Sequence, residues 1–133
     1  MQLSRAIGQI SILLLLTSAA TLKATAQDVT CPSIKTMQAA ANFMNTATKL
    51  DTHSYSVKSD RPAFRENNLN WNIGIFSVYG ISESDAIKRA REIVGKIIIR
   101  YSNTASERQD TYVCTYSQTT FDLVTATADK GKI

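Results

Sequence analysis

The stretch from Leu69 to Ile97 constrains this chain most, because a period-two pattern gives way there to a helical one within a few residues. Leu69, Trp71, Ile73 and Ile75 share one face, and the run to Tyr79 is rich in the β-branched and aromatic residues that strands favour. Beyond Gly74 the other face also turns apolar, with Phe76 and Val78. A glycine where alternation blurs predicts a bulge, or a strand covered on both sides. Gly80 makes the turn. Ser82 then caps a helix, with Asp85 three residues on and Glu83 complementing the helix dipole. Ala86, Ile87, Ala90, Ile93, Val94 and Ile97 fill one arc of it. Opposite them, Asp85 and Arg89, Lys88 and Glu92, and Glu92 and Lys96 stand at i,i+4. The basic residues of "KRAREIVGK" therefore read first as a solvated, charge-paired face and only second as an anion site.

The rest of the chain supplies partners for this unit. Ser33 caps an earlier helix whose stripe is Ile34, Met37, Ala41 and Met44, with Phe43 off the stripe. "THSYSVK" alternates, with His53, Tyr55 and Val57 on one face, and predicts a half-buried strand. "SDRPAFRENN" is rich in breakers and charge and reads as a loop. "TYVCTYS" and "TFDLVTATA" read as two arms of a hairpin around Ser117, Gln118 and Thr119, with Tyr112, Cys114 and Tyr116 on one face. Residues 128–133 look frayed. The order helix, strand, strand, helix, strand, strand predicts an α+β fold. Two helices should lie on one face of a four-stranded antiparallel sheet.

Residues 1–26 fall outside that fold. Arg5, the apolar "ISILLLLTSAA" and "ATA" at residues 24–26 have the form of a cleavable signal peptide, making Gln27 the mature start. The apolar run is shorter than the ~20 residues that span a bilayer. "DVTC" before Cys31 lacks the small residue that lipoprotein processing needs. An exported, periplasmic or secreted protein is expected, with no transmembrane segment after removal of the signal. Removing Arg5 and Lys23, with no acid, leaves 13 basic against 11 acidic side chains, so a net charge of +4 falls to about +2. That is too little to argue for a nucleic-acid or membrane partner. Residues 27–133 suit one domain with a modest core. Cys31 and Cys114, the chain's only cysteines, both lie in the exported part, where an even pair is most simply a disulfide.

The side-chain inventory argues against most enzymes. His53 is the only histidine, no nucleophile motif accompanies it, and no phosphate loop is present. A Cys–His site would need a free thiol, and a lone distant cysteine pair argues against a structural zinc. His53 itself has two readings. The alternation favours a half-buried histidine bonded to a neighbour. The sharper reading is an axial ligand to a haem iron, with Tyr55 as a second donor from the same strand face and Trp71 or Tyr79 stacking on the flat ligand. Lys or Arg would meet the propionates.

Four pieces of the chain carry a family resemblance: "CP" at Cys31 and Pro32, "WNIGIF" with Trp71 and Gly74, the capped "SESDAIKRA", and "YVCTY" around Cys114. In this order, over most of the mature chain, they resemble a small family of exported bacterial proteins labelled hemin-binding proteins. The chain departs from that family in ending "LVTATADKGKI", without a Gly-rich, Pro-containing tail. The resemblance implies hemin, that is heme, as ligand and carries over no ligand residues. Two functions follow as expectations. One is an exported ligand-binding protein with hemin as candidate. The other is a secreted protein-interaction or virulence-associated module without a small ligand, reading its partner through a sheet edge or an aromatic patch.

Overall fold

The computed structural model describes residues 28–119 and 122–131; the expected signal segment lies outside them. Helix α1 (Ile34–Ala39) begins at Ser33, whose extended backbone lets its Oγ accept from the Thr36 amide at 3.1 Å. Glu66 adds a second cap from across the fold, accepting from the Ser33 amide and the Thr36 hydroxyl. The carboxylate sits where the helix dipole favours it. The helix is shorter than its apolar stripe suggests, because Ala40–Phe43 tightens into a 3-10 turn. Met37, Ala40, Ala41 and Met44 are buried, while Phe43 is exposed.

The sheet has eight strands, which corrects the expected four. They are β1 (Thr46–Asp51), β2 (Ser54–Lys58), β3 (Phe64–Glu66), β4 (Leu69–Tyr79), β5 (Ile99–Arg100), β6 (Ser106–Glu107), β7 (Thr111–Ser117) and β8 (Leu123–Asp129). Every pairing is antiparallel, in the order β1-β2-β4-β8-β7-β5, with β3 on β4 and β6 on β7. The four expected strands form the centre of that order. The additional ones lack a hydropathy signature. Strand β1 is an exposed edge held by its backbone ladder to β2, and β5 and β6 are two residues each. Strand β3 lies in the stretch read as a loop. It returns to β4 through Asn67 and Asn68, both at positive φ (54° and 62°), the geometry of a two-residue primed turn. The last hairpin turns later than expected, since Ser117 pairs with Leu123, and β8 continues through Ala128 and Asp129, which the sequence marks as frayed.

The predicted bulge is present in β4. Tyr55 pairs with Val78 and Val57 with Ile75, so Phe76 and Ser77 together oppose Ser56. The extra residue turns Val78 inward and leaves Phe76 outside. Helix α2 (Glu83–Gly95) starts as its cap predicts, the Ser82 Oγ accepting from the Asp85 amide. It buries Ala86, Ala90 and Val94 in the same core as Met37 and Met44 of the first helical segment. Tyr55, Val57, Trp71, Ile73, Ile75, Cys114, Tyr116, Val124 and Ala126 complete that core from one side of the sheet. Two helices thus cover one face, and among the described residues no helix covers the other.

Cys31 and Cys114 are joined in a disulfide with Cα atoms 5.8 Å apart, tying the approach to α1 onto β7. Beside it the Tyr116 hydroxyl donates to the Pro32 carbonyl at 2.5 Å, and burial pushes that phenol's pKa up. No helix among the described residues is long and apolar enough to cross a membrane.

Candidate functional site

His53 does not lie on a strand face. It occupies the β1–β2 turn and is exposed, which corrects its expected place beside Tyr55 and Val57. The cause is local: Asp51 Oδ1 accepts from the His53 amide at 3.0 Å, closing the turn before β2 begins at Ser54. The His53 carbonyl accepts from the Gly80 amide at 3.0 Å, which holds the turn against the end of β4. The imidazole makes no hydrogen bond within the described protein and instead stacks on Tyr79, with centroids 5.8 Å apart and planes 16° from parallel.

Tyr79 is 57% exposed and has a second neighbour, the Arg89 guanidinium, 5.2 Å from its ring centre. A cation at that range is attracted to the ring's electron-rich face. Arg89 is itself held by Asp85, Nε to Oδ2 at 3.1 Å. Of the three i,i+4 pairs expected on α2, this is the one at ion-pair distance among the described residues. Asp85 Oδ2 also accepts from the Ile81 amide at 3.1 Å. That bond and Arg89 hold the Asp85 carboxyl below its usual range. Strand end, turn and first helical turns thus aim three side chains at one patch of surface, where Ile81 is 72% exposed.

The arrangement depends on Gly80. A Cβ there would meet Ala86 Cβ at 2.9 Å and its Cα and N at 3.0 Å. Only glycine lets the strand run this closely into the helix. Next to the patch, a hollow of about 340 Å³ opens between α2 and the β7–β8 connection, with Tyr79, Arg89, Glu92, Lys96 and Asp122 among its walls.

The other two candidate ligand residues do not join this patch. Tyr55 is 5% exposed and Trp71 fully buried, its Nε1 donating to the Glu66 carbonyl at 2.9 Å. Both are core residues and neither can stack on an external ligand. Arg89, by contrast, carries more than the sequence reveals. Its pairing with Asp85 is readable from spacing, but its contact with Tyr79 arises from the strand-to-helix turn. Among the described residues no group of three His, Cys, Asp or Glu side chains could hold a metal ion. No family model, no curated protein and no solved structure matches the chain.

Proposed function

We propose that the protein is an exported ligand-binding module whose ligand is hemin, taken at the His53–Tyr79–Arg89 patch. The observation that carries this reading is an exposed imidazole with no hydrogen-bond partner, held in place by a stacked ring beside a fixed cation. Imidazole and phenolate are both protein ligands of haem iron, and guanidinium pairs well with carboxylates such as propionates. Bound there, hemin supplies a Lewis-acidic iron and a large apolar plane. His53 would be the iron donor, and Tyr79, stacked against it, would be its buttress. Ile81 offers apolar contact beside them. The site lies on the surface, so a bound porphyrin would keep one side in water. The disulfide suits export to an oxidising compartment.

Titration of the apo protein with hemin tests this directly. A Soret band that shifts and saturates near one equivalent is expected, and an unchanged spectrum at micromolar hemin would end the reading. The second reading, an exported module that binds another protein, is favoured by the edge of β1, which has no strand partner beyond β2 among the described residues, and by exposed Phe76 and Ile81. Pull-down with a Phe76→Ser, Ile81→Ser double variant as control distinguishes it, because that variant should lose the partner.

A further inference from the structure

On the sheet face turned away from the helices, no described residue covers the centre. Register sets a row across it: Thr46, Lys58, Gly74, Thr125 and Thr115. Gly74 lies on β4, flanked by β2 and β8. Around it opens a hollow of about 650 Å³, rimmed by Ser56, Lys58, Asn72, Phe76, Thr125 and Thr127.

Nothing in the fold demands glycine at this position. Its φ lies outside the left-handed region. A Cβ would meet the Val57 carbonyl at 3.5 Å, Lys58 Cβ at 3.6 Å and Thr125 Oγ1 at 4.0 Å, all ordinary contacts. Glycine inside a strand weakens it, and it often marks the place where a ligand comes close to the backbone. The rim is equally suggestive. The side chains of Ser56, Lys58, Asn72 and Thr127 make no hydrogen bond within the described protein, and Phe76 stands 78% exposed beside them.

The chemistry of the hollow selects among ligands. Backbone groups of β4 are paired on both sides, so a peptide finds no ladder to extend. A purely apolar ligand would leave the rim's donors and acceptors unpaired. A polyphosphate wants several cations, and Lys58 is the one cation lining the hollow, with the Asp60 carboxylate close by. A sugar ring fits both halves of the description: a fan of hydroxyls for the polar rim and a C–H face for Phe76. We propose that this hollow is a saccharide site that takes one pyranose ring of a neutral glycan.

The test is an amide NMR titration of the disulfide-bonded protein with the methyl glycosides of glucose, galactose, mannose and N-acetylglucosamine. At least one should give saturable shifts confined to the amides around Asn72, Gly74, Phe76 and Thr127. Gly74→Val, which fills the hollow with a residue strands favour, should weaken binding by about tenfold or more while the domain stays folded. Asn72→Ala should weaken it comparably and decides the matter if valine disturbs folding. His53→Ala should leave sugar binding unchanged, which separates this site from the hemin patch. No saturable shift with any of the four sugars, or wild-type binding by the folded variants, would overturn the proposal.

Discussion

Gly80 lies so close to Ala86 that a methyl group on it would stand 2.9 Å from the Ala86 Cβ and 3.0 Å from its backbone. Neither partner is a flexible side-chain end, so the backbone would have to move. Gly80→Ala should therefore destabilise the domain by roughly 1–3 kcal/mol, as overpacking does. Gly74→Ala is the control, since its Cβ has room, and it should be neutral or stabilising by about 0.5–1 kcal/mol. Thermal melting of the two variants checks this; equal losses would contradict it.

The disulfide closes a loop with a sequence separation of 83 residues. On the chain-entropy account it stabilises by about 4–5 kcal/mol. Denaturant unfolding with and without reductant should show unfolding free energies that differ by that amount, and a negligible difference would contradict it.

On α2, Val94 is fully buried against the sheet and Lys88 is exposed. Val94→Asp would bury an unpaired charge at a cost of several kcal/mol against a total of roughly 5–10 kcal/mol. It should unfold the domain, whereas Lys88→Asp should not. Circular dichroism of the two proteins suffices to tell.

Asp85 provides a pH signature. Its carboxyl titrates lower in the folded protein than its ordinary 3.8, chiefly through the Ile81 amide and then through Arg89. A depressed carboxyl stabilises fully above its unfolded-state pKa and loses that contribution as pH falls through the folded value. The melting temperature of the wild type should exceed that of Asp85→Asn near neutrality, and the difference should shrink below pH 3.8. A difference independent of pH would show that the carboxylate charge is not the cause.

The readable parts of this fold were those where side-chain chemistry acts locally. Ser33 and Ser82 cap their helices as their positions suggest, and the bulge falls just after Gly74, where alternation breaks. The inward set Trp71, Ile73 and Ile75 is plain from period two alone. Strand β1 is not, because "TATKLD" is held by backbone pairing at an edge, which hydropathy does not register. The Asn67–Asn68 turn is a signal that asparagine's tolerance of positive φ would have supplied. For the site, the error is one of phase. The alternation through Tyr55 and Val57 continues formally to His53, but the Asp51 side chain ends the strand first. The Tyr79–Arg89 contact joins residues ten apart across two kinds of structure, where neither periodicity reaches.

Hemin binding at this patch requires His53 to be a presented side chain and not a packed one, and a paired measurement on two proteins decides between these. Wild type and His53→Ala are titrated with hemin while each apo protein is melted. The exposed, stacked position predicts melting temperatures within a degree or two of each other, and a Soret maximum that shifts in the wild type and not in the variant. Identical Soret titrations for the two proteins, or a variant that loses stability as a core substitution would, would contradict it.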